Sequence, residues 1–450
     1  MKSYARVCQF GLHGWLAVVL VVLLTACAGS QPGSSASSTK FNWRQFQGAK
    51  LRVLLNNSPW QGAIMGYIPQ FEELTGIQVA VEVYSQDNLW NTLNADLGKP
   101  GSVDVFAIVP NLDGIHYLSA GQIQPVNDYL KDPTLTASNY QWGDFFPKFR
   151  AAMEVRGAVL GPPVMAEYLS LLYRKDILQK YNVKVPSTLD ELEAAARLLH
   201  KKPMGSNGAT GVGIVSRGHG PVSTALYASL LHSMGGTWFD NRGRPMMNAP
   251  QSLAALNWIN RLLGQYAPPD VSKFNWPEAV AIFLDGRAAM YIEGSSIYPL
   301  IENSSSRVAE QVGFAPFPSG PGGNGGTVGV RGLAIAKQSA NPGAAWLFMQ
   351  WASGPEITRK ALMHGVLVAR ESTWQDSVAR SEVPPDLATG LQQAGRTGVI
   401  DWLPPMVAVT SAREVIGHVI TAAIQGQDIR SAANTAEHQL TEILAKTEKR

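Results

Sequence analysis

At 450 residues and 48.5 kDa the chain is too long for one simple core, and roughly 150 residues per domain gives two or three units. Hydrophobic residues make up 45% and mean hydropathy is −0.03, which excludes a polytopic membrane protein and a disordered chain. Charged residues are only 16%, with Lys+Arg 37 against Asp+Glu 34, so the surface is rich in amides, hydroxyls and aromatics and offers no basic face for nucleic acid. Two cysteines cannot build a disulfide framework or a structural zinc site.

The chain opens with Lys2 and Arg6, followed by an apolar run from Trp15 to Leu24. That run is about ten residues, short of the ~20 a membrane span needs but the size of a secretory h-region. It ends in Leu24-Thr25-Ala26-Cys27, small residues before a cysteine, similar to the lipobox of bacterial lipoproteins. Residues 1–26 are therefore expected to be a signal peptide and Cys27 the lipidated residue; an ordinary secretory signal cut elsewhere is the alternative. Residues 27–48, with the Gly/Ser-rich stretch Ala28 to Ser38, read as a flexible tether to a membrane.

From Lys50 the pattern alternates strand and helix. Leu51–Leu55 is a strand, and Pro59 opens a helix with Ile64, Tyr67, Ile68, Phe71 and Leu74 on one face until Thr75-Gly76 stops it. A strand over 77–83, a helix over 89–97 and a strand over 103–109 follow, which predicts a parallel, doubly wound sheet. Ligands of such sheets sit beyond the carboxyl ends of the strands. Those ends carry Asn57, Ser58 and Trp60, then Gln86, then Asp113. A second α/β region begins near Glu167, with a strand over 169–173, a helix over 175–181 and a capping-box pair, Thr188 and Glu191. Ala288–Ile292 and Gly332–Ala336 read as strands, and Asn341-Pro342 starts a helix that Ser353-Gly354-Pro355 ends.

Four segments carry a resemblance: Tyr173-Arg174-Lys175-Asp176 with Val185-Pro186-Ser187-Thr188, Phe283 to Ile292, Gly332 to Ala336, and Asn341-Pro342-Gly343-Ala344-Ala345-Trp346-Leu347-Phe348. In this order they resemble the family-one extracellular solute-binding proteins of bacterial ABC importers, relatives of maltose-binding protein. The resemblance implies the two-lobed, type II periplasmic-binding-protein α/β fold, with a hinge between the lobes and a ligand cleft. Lobe 1 would take 49–164 plus 311–354, and lobe 2 would take 167–306 plus 371–450.

The resemblance also assigns candidate ligand contacts. Glu167 falls where the family places a crossing segment and a ligand-bonding acid, with hinge pairing as its structural alternative. Asn57, Ser58 and Trp60 occupy a rim the family uses, although Trp60 also suits packing at a helix start. Gly294 and Ser295 stand where maltose binders carry a stacking tryptophan, which argues against maltodextrin stacking. From their loop positions Gln86, Asp113, Trp238 and Trp276 join the set, and Arg331 is either a hydroxyl donor or a core-edge ion pair.

Among other chemistries, the eight histidines show no H-E-x-x-H, and neither a G-x-S-x-G elbow nor a Walker A sequence is present. No metal and no cofactor is expected. The expected partners are a carbohydrate or polyol, the membrane permease subunits of an ABC importer, and the membrane through the Cys27 anchor, with the protein acting as a monomer outside the cytoplasm. A solute that is anionic or phosphorylated, such as a glycerophosphate, is the alternative, and would want converging arginines such as Arg217 and Arg331. An extracytoplasmic glycosidase pairing Glu167 with Asp113 or Glu293 is a third, and a protein-docking lipoprotein a fourth.

Overall fold

The computed structural model describes residues 40–204, 208–302 and 308–448, so the expected signal peptide and Cys27 lie outside the described residues. The tether expected to reach residue 48 ends sooner. Phe41, Trp43 and Phe46 already pack against the core, and the Phe46 ring lies so close over Gly343 that a Cβ there would meet it at 2.3 Å.

The strands among the described residues are β1 (Lys50–Asn56), β2 (Gln78–Tyr84), β3 (Val105–Ile108), β4 (Ile123–Gln124), the short ribbon β5 (Glu154–Val155) and β6 (Ala158–Val159), then β7 (Pro163–Arg174), β8 (Val212–Ser216), β9 (Ala288–Gly294), β10 (Val312–Pro316) and β11 (Val328–Ala336). β1 lies between β2 and β3 and is parallel to both, as the strand–helix alternation requires. The sheet then changes sense. β11 runs antiparallel to β3 through Gly332–Ile335, and β4 pairs antiparallel with the end of β11. In the second lobe β8 and β9 are parallel, while β7 lies antiparallel to β9 on one side and to β10 on the other. The parallel expectation for the first three strands holds, and each lobe's sheet becomes mixed where a strand returning from the other lobe enters it from the opposite direction.

Two strands prove longer than their apolar centres suggest. β7 spans 12 residues, about 40 Å of extended chain. Its Pro163–Tyr168 half pairs with β11, and its Leu169–Arg174 half pairs with β9 and β10. β11 likewise starts at Val328, in register with Tyr168. This antiparallel pair is the crossing between the lobes. A third crossing runs alongside, where Met165 bridges Val368 and the Ala166 N–H donates to the Leu367 carbonyl at 2.9 Å. β10 falls within the segment expected in the first lobe, yet it pairs with Ser170–Arg174 of β7 and so extends the second lobe's sheet.

Local sequence explains the remaining elements. The helix expected from Pro59 splits into Pro59–Met65 and Ile68–Thr75, since Gly66 caps the first and Pro69 sits in the first turn of the second, where its missing N–H costs nothing. Gly76, at φ 70°, ends the second in the left-handed conformation that glycine adopts without strain. The Thr188–Glu191 capping box forms as read, and Leu192, Ala195, Ala196 and Leu199 are buried beneath it. Trp346 and Phe348 are fully buried on the helix Pro342–Ala352.

Candidate functional site

At the crossing, neighbouring glycines make room for an acid. Glu167 of β7 stands opposite Gly329 of β11, and Gly294 of β9 stands opposite Leu169. A Cβ on Gly294 would meet Glu167 Oε2 at 2.7 Å, and one on Gly329 would meet its Cγ at 3.1 Å. The carboxylate thus lies in a slot between two bare backbones, and Ser296 Oγ donates a short hydrogen bond to Oε2. This slot opens on a cavity of about 270 Å³ lined by residues of β7, β9 and β11, by Gln86 and Leu112 from the first lobe, and by Arg217, Leu226, Trp402 and Arg413.

The second acid of the cavity is spoken for. Buried Glu293 receives both Nε and Nη2 of Arg217, at 2.7 and 2.6 Å, in a bidentate pair. Tyr291 Oη donates to it at 3.0 Å and the Gly294 N–H at 2.8 Å. Burial works against the Arg217 charge, but the Glu293 carboxylate outweighs it and holds the guanidinium pKa above its ordinary value. Burial and the Glu293 charge push the Tyr291 hydroxyl far up, so it stays a donor.

Trp402 supplies the aromatic wall. Its segment has no regular secondary structure and is pinned on both sides: Asn111 Nδ2 donates to the Ile400 carbonyl at 2.9 Å, and Trp238 Nε1 donates to the Asp401 carbonyl at 2.8 Å. The Arg413 guanidinium sits 6.0 Å from the Trp402 ring centre, and its Nη2 donates to the Pro221 carbonyl at 3.0 Å. Burial, reinforced by the Arg217 charge, pulls the Arg413 pKa below its ordinary value, with Glu414 acting the other way. Arg331 lines the same cavity from β11 and makes no ion pair among the described residues.

Of the residues singled out from sequence, Gln86, Glu167, Gly294 and Arg331 come together at this cavity, as do Arg217 and Glu293 from the alternative readings. The others take places outside its lining. Asn57 is exposed, Ser58 caps the following helix by accepting from the Gln61 N–H at 3.2 Å, and Trp60 is buried in the core. Ser295 is buried and accepts the Tyr168 N–H at 3.1 Å, which ties β7 to the end of β9. Trp238 is not a platform but a buried ring packed 5.5 Å from Tyr227, and Trp276 begins a helix with its side chain exposed. Two lining residues, Trp402 and Arg413, were not singled out from sequence, and Arg217 and Glu293 were named only for the anionic-solute and glycosidase alternatives. Periodicity could not find Trp402, since it lies in an irregular, proline-rich stretch, and Arg413 reads as one polar position of the helix Val409–Ile424.

Asp113 is buried beside the cavity, accepting the Val109 N–H at 3.2 Å, while its Oδ1 has no hydrogen-bond partner. Burial pushes its pKa up to about 6, against the pull of that N–H, the Trp90 indole and the Arg331 charge. Because the folded pKa stands above the ordinary 3.8, stability from this group is complete below about pH 3.8 and is lost as pH rises through about 6. Asp113→Asn is therefore expected to raise the unfolding free energy at pH 7.5, by roughly 1–3 kcal/mol, and to leave it nearly unchanged at about pH 3, as read by denaturant titration at both pH values.

Comparison with known proteins agrees with this architecture. An erythritol/L-threitol-binding protein of Mycolicibacterium smegmatis is 26% identical over 399 residues, covering 82% of this chain and 81% of its own. A mannitol-binding protein of Pseudomonas aeruginosa is 26% identical over 275 residues, 60% of this chain and 61% of the relative. Among solved structures, a solute-binding protein of Agrobacterium radiobacter K84 in complex with ribitol superposes with a TM-score of 0.73 at 23% identity, over 88% of this chain and 99% of that one. Residues 57–359, well over half the chain, match the family model, and this protein belongs to the bacterial extracellular solute-binding proteins.

Proposed function

We propose that the protein captures a small polyhydroxylated solute, a polyol or monosaccharide, by closing its lobes about the β7–β11 crossing, and delivers it to the permease subunits of an ABC importer. The observation that carries this reading is the cavity itself. At about 270 Å³ it lies just under the roughly 300–1,000 Å³ common for drug-sized ligands, which suits one sugar unit better than an oligosaccharide. Its polar groups, Gln86, Glu167 and Arg331, can bridge hydroxyls, and Trp402 with Leu112, Leu169 and Leu226 offers apolar faces to C–H groups. The relatives named for erythritol, mannitol and ribitol support the same solute class.

In this reading the lobes divide at the crossing, near residue 168 on β7 and near 331 on β11, with β10 in the second lobe. Cys27 holds the protein by its lipid to the outer face of a membrane, and it acts as a monomer. A hydrolytic role for the two acids is disfavoured, because Glu293 already accepts four hydrogen bonds and has no freedom to serve as a general acid.

A thermal-shift panel of tetritols, pentitols, hexitols, monosaccharides and maltotriose tests the proposal. At 100 times Kd a solute adds ~2.7 kcal/mol of stability, so a polyol or monosaccharide should raise the melting temperature measurably. Trp402→Ala should cut the affinity about ten-fold. A flat response to the whole panel, or a solute recovered cleaved, would overturn it.

A further inference from the structure

We propose that the solute is an acidic polyhydroxy compound, carrying one carboxylate or phosphate group that sits against Arg331 and Arg413. This deepens the reading above and rests on it. The argument is a count of hydrogen-bonding capacity at the cavity wall. Five ionisable side chains line it: Glu167, Arg217, Glu293, Arg331 and Arg413. Arg217 and Glu293 neutralise each other in the bidentate pair, and both Glu293 oxygens are filled. Among charged acceptors that leaves Glu167, whose Oε2 Ser296 already occupies, and Gln86 adds a neutral amide that both accepts and donates.

Donors are in surplus. The Arg331 guanidinium makes no hydrogen bond or ion pair among the described residues. Arg413 Nε and Trp402 Nε1 are buried without a hydrogen-bond partner. Asp113 acts on Arg331 through its field, but its carboxylate bonds to the Val109 backbone and is not part of the lining. Each hydroxyl of a neutral polyol brings one donor with its two acceptor sites, so it relieves this excess by only one and leaves the positive charges unmatched. An oxyanion only accepts, and it also meets the two cations that lack a carboxylate of their own.

Calorimetry on the purified chain with matched pairs decides the matter: D-mannitol against D-mannonate, and glycerol against glycerol 3-phosphate, with acetate and inorganic phosphate as anions lacking the polyol. In at least one pair the acid should bind ten-fold or more tighter than its alcohol, ~1.4 kcal/mol. Arg331→Gln should bring that ratio below about three-fold, while Arg331→Lys, which keeps the charge without the fork, should keep part of it. Preference confined to the first pair marks a sugar acid, and preference confined to the second marks a phosphorylated polyol.

Alcohols that bind as tightly as their acids would overturn the inference and leave the polyhydroxyl reading standing. So would an acid preference that survives both Arg331→Gln and Arg413→Gln. If acetate or phosphate alone binds as well as the polyhydroxy acids, or if no compound of either kind binds, the polyhydroxyl reading falls as well.

Discussion

Glu167→Ala is expected to weaken solute binding by ten-fold or more while leaving the fold intact. The carboxylate is half-buried at the crossing and is the one acid of the cavity with an oxygen still open, so its loss removes charge-assisted hydrogen bonds worth about 1.5–3 kcal/mol each. Folding should tolerate the change, because Glu167 is flanked by glycine backbones and makes no salt bridge among the described residues. A companion variant separates charge from position. Gly294→Ala keeps the acid but places a methyl group 2.7 Å from its Oε2, so the carboxylate must leave its slot. Both variants should lose affinity by calorimetry with near-native melting curves in the absence of solute. Unchanged affinity in Glu167→Ala would remove this residue from the site.

Arg217→Ala is expected to destabilise the protein itself, by about 3–5 kcal/mol. Glu293 is only 5% exposed, and removal of its guanidinium partner strands a buried charge with the Tyr291 hydroxyl and the Gly294 N–H as its remaining donors. Those two donors place the loss toward the lower end of that range. Replacing both partners by apolar residues, Arg217→Met with Glu293→Leu, should restore most of the stability, since the cost comes from the unpaired charge and not from the missing pair. Denaturant titration of the two variants checks this, and a single variant as stable as the native chain would show that water reaches Glu293.

How much of this was legible beforehand depended on the range of the forces involved. The short apolar strands β1, β3 and β9, the capping box at Thr188 and the helix start at Asn341-Pro342 are all written in neighbouring residues, and they appear where periodicity and capping chemistry place them. The crossing was visible only in its apolar centres. Glu167 and Tyr168 in β7, and Gly329 and Arg331 in β11, break the apolar run, so both strands read too short. They remain extended because each is the other's hydrogen-bonding partner across about 160 residues of chain.

The same limit governed the site. Gln86 and Arg331 were reachable from their loop and glycine-flanked positions, which are local features, and Glu167 and Gly294 came from the family resemblance. In the glycine-rich loop Ser319–Gly326, Gly325 is buried and its N–H donates to Ser233 Oγ at 3.0 Å, a contact that no local pattern announces. Trp238 and Trp402 show the difference most sharply. Both are tryptophans in irregular segments, and the indole of the first bonds to the carbonyl of the residue just before the second. That contact fixes one ring in the core and sets the other at the cavity.

Strand–helix alternation determined by itself an α/β protein with its ligand sites at strand ends, and the resemblance carried by Tyr173–Asp176, Phe283–Ile292 and Gly332–Phe348 added the two lobes and the cleft. Tertiary structure alone decided which charges in that cleft cancel and which stay available. Arg217 and Glu293 are 76 residues apart in sequence and 2.6 Å apart in space, and hydrogen bonding at that range is set by packing, which no local pattern encodes.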